Sequence, residues 1–259
     1  MSELLILSAI IGVSAGLASG YLGSLMVLEK MALVGDALSH VALPGLALGL
    51  IFNFNPFIGA FVFLYLSAII IWHLGRVTRL SFETIIGAVF TLALAVGILI
   101  TPEPELLEAL FGDISSVTYV DAFMAVLISA VSILFTKRIY RRIVLSLISE
   151  ELAISSGVNV ARVNLLFLLL VSTTVAIGIK ITGTLLVGFL VIVPAATARA
   201  ISQSLFSYSL MSSVFGIVSA FGGILLAGYL GLPPGPLVVL TGVSLFAAVI
   251  VLKSVRKPT

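Results

Sequence analysis

The stretch "AISQSLFSYSLMSSVFGIVSAFGGILLAGYLGLPPGPLVVLTGVSLFAAVIVL", residues 200–252, contains no charged side chain. A helix that crosses the hydrocarbon of a bilayer needs about 20 mainly apolar residues, so this run is long enough to cross twice. Its break falls at "GLPPGP", residues 231–236, because proline and glycine punctuate helices. Spans near 205–230 and 236–252 follow.

Further charge-free runs cover residues 4–28, 84–102, 163–179 and 181–198. The chain of 259 residues is 61% hydrophobic and 9% charged, far from the roughly one-quarter charged residues of a soluble domain. Cutting it at proline, glycine and charge adds candidate spans near 38–53, 57–74, 83–100, 119–136, 163–180 and 183–199 to those at 4–28 and 205–252. The expected fold is all-α: a polytopic membrane protein of eight or nine transmembrane helices, forming one domain over residues 1–259. The start "MSELLILSAI" carries Glu3 and no basic residue, so the first run reads as a retained span rather than a signal peptide.

Lysine and arginine in short loops mark the cytoplasmic side. "RVTR" (76–79), "KRIYRR" (137–142) and "KSVRK" (253–257) fall on one side when spans are counted between them. The opposite loops, "FNFNPF", "TPEPELLEALFGD" and "GLPPGP", contain no basic residue. A net charge of +2, spread in short clusters, excludes nucleic acid as a partner. The absence of cysteine excludes thiolate metal sites and disulfides. No P-loop motif occurs, and no loop is long enough for a second soluble domain.

Within "GDALSHVALPG", residues 35–45, Asp36 and His40 are four apart and share a helix face. Two readings are open. The pair is a weak divalent-cation site, suited to zinc, manganese or iron, or Asp36 is a helix cap and His40 an interhelical hydrogen-bond donor. Pro44 and Gly45 are expected to break the helix and free carbonyls beside a cavity. His73, beside Trp72 and ahead of Arg76, fits the interfacial belt. Glu83 reads as a first-turn helix acid, and Lys180 as a snorkelling side chain.

Glu103, Glu105, Glu108 and Asp113 form an acidic outer loop, with Gly112 permitting a tight turn. In "GTLLVGFLVIVPAATAR", residues 183–199, small residues suit close helix packing and Pro194 removes one backbone bond; a kink and a gate are both open readings. The long connection at 137–162 reads as basic flank, short helix and glycine turn, with Ser149 as cap, Glu150 and Glu151 in the first turn, and Gly157 as stop.

Six pieces resemble, in order, the membrane permease subunits of ABC-type importers for zinc, manganese and iron. They are "MVLEKMALVGDALSHVALPGLALGL", "ETIIGAVFTLALAVGI", "LFGDIS", "SEELAISSGV", "KITGTLLVGFLVIVPAATAR" and "YLGLPPGPLVVL". The resemblance implies a fold similar to cobalamin and siderophore importer permeases. It also implies two cytoplasmic ATPase subunits that hydrolyse ATP, an extracytoplasmic metal-binding protein and a second permease copy, in the inner membrane of a prokaryotic cell. By it, Asp36 and His40 line the metal pathway, and Asp113 and Pro194 are candidate pathway or gate residues. Glu150, Glu151, Ala153 and Gly157, in a segment at about 143–161, form a helix that couples to the ATPase. The chain is then a transporter subunit and not an enzyme, with no cofactor of its own; the transported ion is its cargo. The rival reading is an ion-coupled secondary metal transporter, which calls for several intramembrane acids and inverted repeats that the sequence does not display.

Overall fold

A computed structural model describes residues 2–101, 107, 109–112 and 117–255. Every regular element among them is an α-helix: α1 (Ser2–Leu28), α2 (Ala32–Ile51), α3 (Pro56–Val77), α4 (Phe82–Ile100), α5 (Tyr119–Ile148), α6 (Glu150–Ser155), α7 (Val160–Ile201), α8 (Leu205–Leu230) and α9 (Pro234–Val255). Among the described residues, nine stretches are long and apolar enough to cross a membrane, because α7 contributes two, Val160–Lys180 and Thr182–Ile201. Glu103, Glu105, Glu108 and Asp113 lie outside the described residues.

Helix ends follow from local chemistry. Asn55, Ser81, Ser149, Asn159 and Ser204 each accept a backbone N–H of the first turn that follows. Thr118 and Asp121 cap α5 reciprocally. Gly231 closes α8 at φ 67°, and Gly157 follows α6 at φ 77°.

In lipid the hydrophobic effect does not drive helices together, so close packing depends on small residues. Gly12, Gly16 and Gly20, four residues apart on α1, face α8. A Cβ on Gly16 would collide with the Gly216 carbonyl, and the Ser212 hydroxyl donates to the Gly20 carbonyl. Among the described residues the α1–α8 contact is the most extensive. Its small-xxx-small pattern was present in the sequence and escaped the span-by-span reading.

Four sequence expectations need correction. Pro44 and Gly45 do not break α2, which runs on to Ile51; the missing bond is tolerated because α3, α4 and α7 pack around the helix. The second span starts at Ala32 rather than near 38. The basic run 137–142 is not a flank but a continuation of α5, which ends only at Ile148. Lys180 does not snorkel outward: its ammonium lies 3.5 Å from Asp121 Oδ2 and 4.4 Å from the centre of the Phe57 ring.

Inside α7, Gly183 adopts φ 70° and ψ 176°, a region essentially restricted to glycine. The chain doubles back there. Gly178 and Val187 would be about 13 Å apart along one straight helix, yet a Cβ on Gly178 would collide with Val187. Pro194 stays within the second half of α7, whose backbone is helical around it.

Candidate functional site

Asp36 and His40 sit one turn apart on α2, among the described helices that pack most intimately on their neighbours. Lys30, at φ 59°, turns the chain between α1 and α2 and sets where the second helix begins. From there α2 runs with α3, α4 and α7 against it. His40 is buried, and its ring meets Phe90 of α4 edge-to-face at 5.3 Å between centroids. Phe90 is about 12 Å along a helix about 28 Å long. This places the imidazole near mid-depth in the helix layer.

His40 Nδ1 is buried and has no hydrogen-bond partner among the described residues. A buried polar atom without a partner costs about 1–3 kcal/mol and calls for an explanation. The His40 carbonyl also loses its ordinary helical donor, because its i+4 residue is Pro44, which has no N–H to give it. Ser39 is already engaged, donating to the Asp36 carbonyl at 2.6 Å.

Asp36 is half-buried and opens on a cavity of about 350 Å³ between α2 and α4, walled by Phe82, Glu83, Ile86 and Phe90. On its other side stands Gly188 of α7. A Cβ there would lie 2.5 Å from Asp36 Oδ1 and 2.7 Å from Asp36 Cα. Only glycine lets α7 pass the carboxylate so closely.

A second cavity, of about 430 Å³, shares Lys30, Phe82 and Glu83 with the first. It continues to Glu29 and to Glu150, the first residue of α6. Burial pushes the Glu29 carboxyl up to about 7. Glu83 is therefore more than a first-turn helix acid, since it stands where the two cavities meet. Sequence reading passed over Glu29 altogether, as a lone acid beside a lysine at a helix end gives no local signal of burial.

The short helix α6 has the form expected for residues 149–157. Ser149 caps it, Glu150 and Glu151 occupy its first turn, and Ala153 is fully buried. The Gly157 and Val158 N–H groups close its end onto the Ile154 and Ala153 carbonyls. Leu152 and Ile154, two positions apart and so on different sides of the helix, are both exposed. Trp72 donates to the Ala161 carbonyl at 2.7 Å with Arg76 over its ring, and His73 is exposed beside it. Among the described residues no three His, Asp or Glu side chains converge as a closed metal cage. One carboxylate, one imidazole and one freed carbonyl make an open, weak donor set.

Residues 1–253 match the model of the ABC 3 transport family. The manganese import system permease protein ScaB of Streptococcus parasanguinis is 32% identical over 92% of this chain and 86% of its own length. The high-affinity zinc uptake system membrane protein ZnuB of Haemophilus influenzae is 32% identical over 95% of this chain and 96% of its own. Among solved structures, PsaBC from Streptococcus pneumoniae in complex with Fab is similar at a TM-score of 0.84 and 31% identity, covering 95% of this chain and 91% of that one.

Proposed function

Because the chain belongs to the ABC 3 transport family, we propose that it is the membrane permease of an ATP-driven importer for a divalent metal ion, manganese or zinc, which crosses at Asp36 and His40. The observation that carries this reading is the buried His40 Nδ1 without a partner, one turn from a carboxylate that opens on a cavity. An intramembrane ionisable pair is functional by default, since hydrocarbon penalises it. The similarity to permeases named for manganese import and zinc uptake supports the choice of cargo.

Carboxylate and neutral imidazole both bind manganese and zinc, and few protein ligands keep the affinity low enough for release. A second copy related by a two-fold axis would bring a second Asp36 and His40 to the path. An extracytoplasmic metal-binding protein delivers the ion, and two cytoplasmic ATPase subunits close on ATP. Their movement enters through α6, where Glu150, Glu151, Ala153 and Gly157 shape the docking helix. Glu150 also lines the inner cavity that adjoins the one at Asp36. Motion of α6 is thereby felt at the cytoplasmic exit. The chain itself hydrolyses nothing, and its sequence contains no P-loop.

The test is uptake of radiolabelled manganese and zinc by cells lacking the gene, complemented with wild type, Asp36→Ala or His40→Ala at equal membrane expression. Wild type restores uptake of at least one metal. Each variant lowers it about tenfold or more, as even an outer-shell partner is worth about 10–100-fold in metal affinity. Wild-type uptake by both variants would sink the assignment and leave Asp113 and Pro194 as the remaining pathway candidates.

A further inference from the structure

A cavity of about 710 Å³ lies between α1, α5 and α8 and has no part in the metal site. Its volume falls within the roughly 300–1,000 Å³ of ligand-sized cavities. From its lining and its depth we infer that it holds an anionic phospholipid of the cytoplasmic leaflet, with the phosphate at Lys137 and Arg141 and one acyl chain between the helices.

Polarity along the cavity is ordered as a phospholipid is. Lys137 and Arg141, four apart, share one face of α5. Lys137 is about 27 Å from the outer end of that helix, close to the full hydrocarbon thickness of about 30 Å. The basic pair therefore stands at the inner boundary of the membrane. Leu17, Ile133 and Leu210 form an apolar wall deeper in the membrane, whereas Phe206, in the first turn of α8, flanks the cytoplasmic mouth.

Ser213 donates to the Ser209 carbonyl at 3.0 Å, and Ser209 accepts from Ser24 at 2.8 Å. These hydroxyls are engaged within the protein and leave the deep wall without a strong claim on water. Leu17 is about 16 Å from the inner end of α1, and Ser213 about 12 Å into α8. That depth matches one leaflet, half of about 30 Å.

Among the described residues no acidic side chain lines the cavity. Charge complementarity selects an anionic headgroup, since basic pockets between helices on the cytoplasmic side suit such lipids. Free phosphate would leave the apolar depth unfilled.

The test is native mass spectrometry of the purified transporter, delipidated and then offered phosphatidylglycerol or phosphatidylcholine of identical chains. Wild type retains phosphatidylglycerol selectively, one per chain. The double variant Lys137→Gln/Arg141→Gln loses the preference by about thirtyfold, each basic side chain contributing about fivefold near an anionic surface. Leu210→Trp, which fills the groove and keeps the charges, lowers retention of both lipids.

Equal retention of the two lipids by wild type overturns the assignment, as does unchanged retention in the variants. The chain has no cysteine, so a Phe206→Cys variant reports a competing occupant cleanly. Its quantitative cross-linking into dimers in membranes would show that a second copy covers this face and would also overturn it.

Discussion

Gly188 stands against Asp36 so closely that a methyl group on it would lie 2.5 Å from the carboxylate oxygen. The carboxylate of α2 is thus held by the backbone of α7, a helix more than 120 positions away in the chain. Gly188→Ala is expected to push Asp36 off its position, with about 1–3 kcal/mol of overpacking strain. Thermal stability in detergent and metal uptake should both fall. Gly87→Ala is the control: it lines the same cavity, but a Cβ there meets nothing within 4 Å. If the two alanines behave alike, Gly188 does not position Asp36.

Gly183 turns α7 back on itself at a positive φ and packs on the Leu110 and Gly112 backbone. Gly183→Ala meets both a forbidden conformation, worth about 1–3 kcal/mol, and a backbone clash. Loss of folded protein from the membrane fraction is expected. Gly231→Ala, at a positive φ but in the left-handed helical region with ψ 29° and in open space, should remain folded with a smaller loss.

The Lys180–Asp121 pair ties the outer end of the first half of α7 to the start of α5. Lys180→Met leaves Asp121 with its Thr118 partner but without its cation. A stability loss of about 1 kcal/mol is expected, since Asp121 is partly exposed and keeps its Thr118 hydrogen bonds. Asp121→Asn added to Lys180→Met should cost less than the sum of the two single changes. Additive losses measured by chemical denaturation in detergent would show that the pair is not coupled.

Glu29 has a carboxyl raised from 4.5 to about 7 by burial. The folded state therefore binds a proton that the unfolded state has released, so stability falls as pH rises from about 4.5 to about 7. Below that window Glu29 contributes no penalty; above it the penalty is complete. Glu29→Gln should match wild type in melting temperature at pH 4.5 and exceed it at pH 8. A constant difference between the two proteins across that range would rule out the burial of a charged Glu29 as the cause.

Much of this architecture was legible in the sequence because membrane spans are local features. Run length, charge and turn residues located the long helices, though not the start of α2 or the end of α5, and at "GLPPGP" Gly231 ends α8. The cap at Ser149 and the stop at Gly157 were equally local. Pro44 misled, because a proline's cost is local while its tolerance depends on the three helices packed around α2. Lys180 misled for the same reason: its partner Asp121 lies on another helix.

By itself the sequence determined that this is a multi-pass α-helical membrane protein, and that Asp36 and His40 share one helix face. Both follow from composition and the period of a single helix. Only the tertiary structure decided that Gly188 presses on Asp36, that Phe90 faces His40, and that Glu83 joins two cavities reaching Glu150. The physical reason is range. A helical turn links residues three or four apart, whereas burial, cavities and unmet hydrogen bonds arise from how separate helices pack, which no local pattern encodes.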